Sequence, residues 1–102
     1  MTEPAEGSGG PRIVIAFCTQ CHWLLRAAWM AQELLSTFGT DLDEVALSPG
    51  TGGIFRITYD GQTIWDRKAD NGFPDVKALK QRVRDRLDPT RSLGHIDRVK
   101  TD

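Results

Sequence analysis

The 102-residue chain has little cysteine, almost no charge imbalance and no long apolar run. Its 13 basic and 14 acidic residues give a formal net charge of −1, which excludes a strong field for nucleic acid or anionic lipid. No apolar stretch approaches the roughly 20 residues of a membrane-spanning helix. Residues 1–11 are rich in Glu, Gly and Pro and lack the features of a signal peptide. We therefore expect a disordered leader there and a soluble, cytoplasmic protein without nucleic-acid or membrane partners.

The two cysteines, Cys18 and Cys21, form a Cys-x-x-Cys motif. This motif lies between an apolar run at residues 13–17 and a helical pattern that begins at Trp23. If Cys18 ends a buried strand and Cys21 lies in the first turn of a helix, both sulfurs face the helix N-terminus. Free amides and the helix dipole favour a thiolate there. Because a thiolate attacks disulfides and a thiol hardly does, the motif predicts redox chemistry.

Three other interpretations of the cysteine pair are weaker. A structural crosslink between Cys18 and Cys21 closes a very short loop, worth about 2 kcal/mol against roughly 3 kcal/mol for a 15-residue loop. A zinc site needs four ligands, and beyond the two cysteines the sequence offers only His22 and His95 as histidine ligands. Two unreactive core cysteines would have this spacing by coincidence. The sequence therefore predicts no metal site.

The hydrophobic pattern of the first half predicts a strand and a helix. Strand 1, residues 12–17, is continuously apolar, as expected for a central strand. Helix 1 spans about residues 21–38 and ends at Gly39. Its predicted inward residues are Leu24, Ala27, Ala28, Ala31, Leu34, Leu35 and Phe38. Trp29 falls on the opposite, exposed stripe, where it either lies flat on the helix or contacts a partner.

The second half predicts three strands and a helix. The predicted elements are strand 2 at 45–47, broken by residues 48–53, strand 3 at 54–59, strand 4 at 62–66, helix 2 at about 75–87 with its charges in solvent, and an irregular tail at 89–102. Asp60-Gly61 is a strong hairpin signal between strands 3 and 4. Pairing across that turn places Ile57 opposite Ile64 and Arg56 opposite Trp65.

The predicted order β-α-β-β-β-α is that of a minimal thioredoxin-like domain, an α/β fold with a mixed four-stranded sheet. The right-handed crossover rule makes strands 1 and 2 parallel neighbours. If strand 3 lies antiparallel on the other side of strand 1, the link from Pro49 to Gly53 crosses the end of strand 1, beside the cysteines. Its glycines, Gly50, Gly52 and Gly53, then either present backbone groups to a substrate disulfide or form a plain tight turn.

Two further expectations follow from this arrangement. Pro49 is the proline close enough to the cysteines to border the site, and we expect a trans peptide bond there on base rates. Both helices should cover one face of the sheet and leave the other partly bare. Trp65 beside Arg56 on that face either forms a cation–π pair in solvent or centres a partner or homo-oligomer interface.

Four segments together resemble the selenoprotein W family, also called Rdx, over about residues 13–88. They are Cys18-Thr19-Gln20-Cys21, residues 48–55, Asp60-Gly61 and Gly72-Phe73-Pro74. The resemblance implies a thioredoxin-like fold with a redox-active centre. The family carries selenocysteine at the second motif position, which is Cys21 here, so the sequence resembles a bacterial, cysteine-containing member.

The resemblance leaves the roles within the motif open. Thioredoxins attack with the first cysteine, whereas the selenium position points to Cys21; we predict that both cycle through an intramolecular disulfide. A thiol with a pKa near 8.5 ionises less readily than a selenol, so we expect lower rates. His22 either assists ionisation of Cys21 or extends the polar stripe of the helix. Thr19 and Gln20 replace the Gly-Pro of thioredoxins, which changes the redox potential.

The sequence therefore predicts a thiol–disulfide or peroxide-responsive redox protein, with residues 12–88 as its domain. It would act on protein or small-molecule disulfides without a bound cofactor, and glutathione is a candidate reductant. The alternative is a redox-gated interaction module without turnover, in which Trp29 or Trp65 contacts the partner. A metal-binding module ranks third.

Overall fold

The structure is a computed structural model, and it describes residues 9–94. Most of the predicted leader and much of the predicted tail, residues 1–8 and 95–102, lie outside the described residues. The elements in chain order are β1 (Arg12–Cys18), α1 (Leu24–Phe38), a 3₁₀ turn (Gly39–Asp41), β2 (Glu44–Gly50), β3 (Phe55–Tyr59), β4 (Gln62–Asp66) and α2 (Val76–Leu87). Neither helix in this described part has the length and apolarity to cross a bilayer.

The four strands form one mixed sheet with the order β2-β1-β3-β4. β1 is parallel to β2 and antiparallel to β3, and β4 is antiparallel to β3. α1 packs on β1 and β2, α2 packs on β4, and the helices contact each other, so both lie on the same face. The α/β fold and the topology are as predicted.

The core lies between the sheet and the helices. Alternate side chains of β1 point inward, as the two-residue repeat of a strand requires, and the buried face of α1 repeats at helical spacing. The fully or almost fully buried apolar residues include Ile13, Ile15, Phe17, Ala27, Met30, Leu34, Phe38, Phe55, Ile57, Leu79 and Val83. β1 is one of the two inner strands, and it ends directly at the cysteine motif.

α1 begins later than predicted. His22 has a φ of 62°, in the left-handed region that an α-helix does not continue, so Cys21 lies in a turn before the helix rather than in its first turn. Leu24 and Leu35, predicted to point inward, are 53% and 45% exposed, whereas Met30 is buried. These two leucines lie at the margin of the buried helical stripe, which consists of Ala27, Met30, Ala31, Leu34 and Phe38.

β2 is longer than predicted and continues through Ser48-Pro49-Gly50. Phe17 pairs with Pro49, and Cys18 pairs with Gly50, so the end of β2 lies directly beside the motif. β2 is an edge strand of the described sheet, which is where proline is tolerated. The peptide bond at Pro49 is trans.

The pairing of β3 with β4 differs from the prediction. Ile57 pairs with Trp65 and Arg56 with Asp66, because the ladder shifts by one residue and leaves Ile64 as a β-bulge. Both Ile64 and Trp65 are consequently buried, the latter at 9% exposure. The prediction that Trp65 lies on the bare sheet face is wrong.

Trp65 makes two specific contacts in its buried position. Its indole Nε1 donates a hydrogen bond to the Gly72 carbonyl oxygen at 2.8 Å. The guanidinium carbon of Arg82 lies 4.2 Å from the indole centroid. The predicted partner, Arg56, is exposed and instead lies 3.9 Å from an Asp66 carboxylate oxygen. The cation–π pair exists, but with an arginine of α2.

The hairpin and the second helix follow local signals. Asp60 and Gly61 have φ values of 49° and 86°, the positive angles of a two-residue type I′ turn. Asp75 caps α2, since its carboxylate accepts a hydrogen bond from the Ala78 N–H at 2.7 Å. Lys80, predicted to be solvated, is buried, and its ammonium lies 2.9 Å from Glu33 of α1. This ion pair joins the two helices.

Candidate redox site

The two thiols lie together where β1 ends. Cys18 is the last residue of β1 and Cys21 lies in the following turn; both are free, and their sulfurs are 2.6 Å apart. Cys21 Sγ donates its hydrogen to Cys18 Sγ. Cys18 is 1% exposed, whereas Cys21 is partly exposed. A molecule that approaches from solvent therefore meets Cys21 first.

The motif turn is fastened to the end of β2. The Thr19 N–H and hydroxyl both donate to the Gly50 carbonyl oxygen, at 3.0 Å and 3.2 Å. The His22 N–H donates to the Thr19 carbonyl oxygen at 3.1 Å. Gln20 is exposed. These hydrogen bonds hold the two cysteines in one tight turn.

The hydrogen bond between the two sulfurs shifts the pKa values of Cys18 and Cys21 in opposite directions. The hydrogen bond from Cys21, together with backbone N–H groups that include Gly53, lowers the pKa of Cys18 against the effect of burial. The same sulfur–sulfur hydrogen bond and burial raise the pKa of Cys21, while the charge of Arg67 and the Gly53 N–H act in the opposite direction. Cys18 is therefore the more readily ionised of the two thiols, and the apparent pKa values belong to the pair.

Arg67 is a site residue that the sequence analysis missed. It lies in the turn after β4, and its Nε donates to the Gly53 carbonyl oxygen at 3.1 Å. Its guanidinium carbon lies 5.1 Å from the ring centroid of Trp23. Gly53 has a φ of 77°, and a Cβ there would lie 3.2 Å from the Arg67 guanidinium, so this contact favours glycine. Strand pairing brings Arg67 to the motif, and no local sequence signal marks it.

Three aromatic rings form a wall beside the motif, which we call the aromatic wall: Trp23, Phe55 and Phe73. Their rings meet edge to face, with centroids 4.8 Å apart for Trp23 and Phe73 and 5.0 Å for Phe55 and Phe73. Arg26 stacks on Phe73, its guanidinium carbon 4.0 Å from the centroid. The wall explains the phenylalanine of the Gly72-Phe73-Pro74 segment, because it packs the start of α1 against the sheet.

An open cavity of about 510 Å³ lies next to the motif turn, and we call it the apolar groove. It is lined by Phe17, Thr19, His22, Leu24, Leu25 and Pro49. Three of the predicted site residues, Thr19, His22 and Pro49, thus lie on it together. The exposed Gly52 has a φ of 73° in the turn that leads to Gly53.

The predicted interaction residues do not form one surface. Trp29 is 49% exposed on α1, as expected. Arg56 is exposed on β3, and Trp65 is buried in β4. Within residues 9–94, no three His, Cys, Asp or Glu side chains come together in a cluster able to hold a metal ion.

Comparisons with known proteins agree with this architecture. A family model described as the Rdx family matches residues 12–85. A crystal structure of a protein from Bordetella parapertussis is 73% identical, with a TM-score of 0.75, and the match covers 76% of this chain and 98% of that one. The crystal structure of a selenoprotein W-related protein from Vibrio cholerae is 52% identical, with a TM-score of 0.76, over 78% of this chain and 100% of that one. No match was found among curated proteins.

Proposed function

The chain belongs to the Rdx family, a thioredoxin-like redox family, and from this premise we propose that it is a thiol–disulfide redox protein whose reactive groups are Cys18 and Cys21. One observation carries the proposal: two free thiols in contact, one buried and one accessible. Such a pair can lose two electrons and form an internal disulfide. We place this activity in the cytoplasm, where thiols are kept reduced.

The first step is attack by Cys21 on a substrate disulfide. Once Cys18 has lost its own proton to water, Cys21 passes its proton to the Cys18 sulfur along their hydrogen bond and becomes the thiolate. It attacks one sulfur of the substrate disulfide, so a Cys21–substrate bond forms as the substrate S–S bond breaks. The leaving thiolate takes the proton from Cys18. The products are a mixed disulfide on Cys21 and one free substrate thiol.

The second step is resolution by Cys18. Having lost its proton, Cys18 is a thiolate, the form that the backbone N–H of Gly53 favours. It attacks the Cys21 sulfur, forms the internal disulfide and releases the second substrate thiolate, which takes a proton from water. In total the singly ionised pair gives up one proton and two electrons, water supplies the second proton, and the substrate disulfide becomes two thiols. A dithiol or two molecules of a monothiol such as glutathione would return the pair to its reduced state.

A peroxide is a second candidate oxidant for the same pair. The Cys21 thiolate takes one oxygen atom and becomes a sulfenic acid, while the rest of the peroxide leaves as hydroxide or alkoxide. Cys18 then displaces the sulfenic oxygen as water and forms the same internal disulfide.

Serine variants test the order of attack. We expect wild-type protein in glutathione buffers to lose two hydrogens reversibly, as measured by intact mass. C18S should accumulate a glutathione adduct on Cys21, because the variant has no second cysteine to resolve it, and C21S should form an adduct far more slowly, because Cys18 is buried. Faster adduct formation by C21S would reverse the assigned order. Wild-type protein that resists both glutathione disulfide and peroxide would refute the redox function.

A redox-gated interaction module without turnover is the second candidate function, and the exposure of Trp29 favours it. The two candidates differ in stoichiometry. An oxidoreductase consumes many equivalents of disulfide when a reductant such as dithiothreitol regenerates the pair, above the rate of the reductant alone. A gated module shows no such excess.

A further inference from the structure

We propose that the apolar groove binds a bulky apolar side chain next to the target cysteine of a protein disulfide. The preferred substrate is then an uncharged, extended protein segment, and glutathione is a poorer one. This inference rests on the proposed redox function and adds a substrate class to it.

The groove begins at the cysteines. Thr19 and His22 line it, and each is the immediate neighbour of a motif cysteine along the chain. Phe17 comes from β1 and Pro49 from the end of β2. A substrate whose disulfide reaches Cys21 therefore has its flanking residues over this groove. Its volume of about 510 Å³ is in the range of small-ligand sites and is ample for one or two side chains.

Two leucines of the groove are poorly explained by folding. Leu25 is the most exposed large apolar side chain in the described residues, at 84%, and its neighbour Leu24 is also exposed. Both lie in the first turn of α1, outside the buried stripe of that helix. An exposed apolar cluster at the rim of a reactive site is typical of a contact surface.

The charges around the site disfavour glutathione in the groove. Glutathione carries two carboxylates and an ammonium group, whereas the groove lining contains no Asp, Glu, Lys or Arg. The two arginines near the motif are already engaged, Arg26 on Phe73 and Arg67 on Trp23. Moving charged groups from water onto an apolar surface without partners is unfavourable in free energy. An uncharged, apolar flanking residue avoids that loss.

The edge of the sheet supports an extended substrate. β2 is one of the two edge strands of the described sheet, and Pro49 near its end lines the groove. An extended segment can lie along such an edge, with the backbone giving affinity and one pocket reading a side chain. This arrangement favours a protein chain over a compact tripeptide.

Three disulfides test the inference. They are oxidised glutathione and two symmetrical disulfides of a short uncharged peptide, which differ only in the residues beside cysteine, leucine in one and serine in the other. The measurement is the rate constant for oxidation of the dithiol, followed by intact mass. We expect wild-type protein to react about tenfold faster with the leucine peptide than with the serine peptide, the effect of burying one partly covered side chain.

Two leucine variants locate the preference. Leu25→Ser should abolish the preference, so that the leucine and serine peptides react at about the same rate. Leu35→Ser is the matched control, because Leu35 is an exposed leucine of the same helix that does not line the groove. It should retain the full preference. Circular dichroism of both variants verifies that α1 is intact.

The failures are distinguishable. Equal wild-type rates with the two peptides, or the fastest rate with glutathione, overturn the inference while the redox function stands. Equal slowing of all three reactions by Leu25→Ser also overturns it, since the groove would then act on the thiols and not on the substrate. No reaction of wild-type protein with any of the three overturns both proposals.

Discussion

Arg67 interacts with both the charge and the backbone of the candidate site. Its guanidinium favours ionisation of Cys21, holds the Gly53 carbonyl and stacks on Trp23. Removing the positive charge leaves the thiolate less stabilised. We therefore expect Arg67→Gln to raise the pKa at which Cys21 ionises and to slow iodoacetamide alkylation a few-fold near neutral pH. The pH dependence of the alkylation rate, with the alkylated cysteine identified by mass spectrometry, measures the change.

Two other arginine variants separate charge from packing. Arg26→Gln also removes an arginine stacked on the aromatic wall, yet Arg26 is not among the charges that affect Cys21. It should leave the alkylation profile unchanged. Arg67→Lys keeps the charge and should restore most of the wild-type profile. An unchanged pH dependence of alkylation in Arg67→Gln would show that the charge of Arg67 does not stabilise the Cys21 thiolate.

At the scale of elements, the bulge in β4 allows two consecutive side chains of this edge strand to be buried in the core. It places Ile64 and Trp65 inside together, and the indole is then fixed by the Gly72 carbonyl and by Arg82. Trp65→Phe removes the indole hydrogen bond from a buried group. We expect it to lower the free energy of unfolding by about 1 kcal/mol, measured by urea denaturation.

The exposed tryptophan of α1 is the control for this prediction. Trp29→Phe should change the free energy of unfolding by less than about 0.5 kcal/mol, because surface substitutions usually have small effects. Both variants should keep the thiol reactivity of the wild type, since neither side chain lies at the motif. Equal stability of the Trp65 and Trp29 variants would contradict the buried hydrogen bond.

Elements with strong local signals could be predicted from the sequence, and those set by tertiary contacts could not. The apolar run of β1 and the Asp60-Gly61 turn encode their own conformations. The bulge at Ile64 accompanies contacts of Trp65 with Gly72 and Arg82, and pairing rules along one hairpin do not include such contacts. The left-handed His22, which delays α1, likewise has no marker in residue type.

The same division applies to the candidate site. The cysteine pair, the glycine link and their meeting at the end of β1 follow from the crossover rule and the order of elements. Arg67 reaches the motif only because β3 and β4 pair and the following turn folds back. The apolar groove depends on Leu24 lying outside the core, whereas helical periodicity assigns that residue to the buried face.

Across the whole molecule, one ion pair connects α2 to the turn that carries Arg67. The Asp70 carboxylate accepts a hydrogen bond from the Asp66 N–H at 2.9 Å and lies 3.3 Å from the Arg82 guanidinium of α2. Arg82 also donates to the Ile64 carbonyl oxygen in the bulge. The second helix is thereby connected to β4 and, through the turn at residues 67–72, to the candidate redox site.

This connection predicts how the stability of the whole fold responds to acid. The hydrogen bond from the Asp66 backbone and that from Arg82 lower the pKa of Asp70 below its usual range. A carboxylate whose pKa is lower in the folded protein stabilises it above the unfolded pKa, about 3.9, and this contribution is lost as the pH falls through the folded value. Asp70→Asn should therefore lower the free energy of unfolding at about pH 7 and show a smaller further loss toward about pH 2, measured by urea denaturation. Asp85→Asn, which alters an exposed carboxylate of α2, should keep the wild-type acid slope. An unchanged acid slope in Asp70→Asn would mean that Asp70 contributes nothing to acid unfolding, and the tie between α2 and the turn would not depend on its charge.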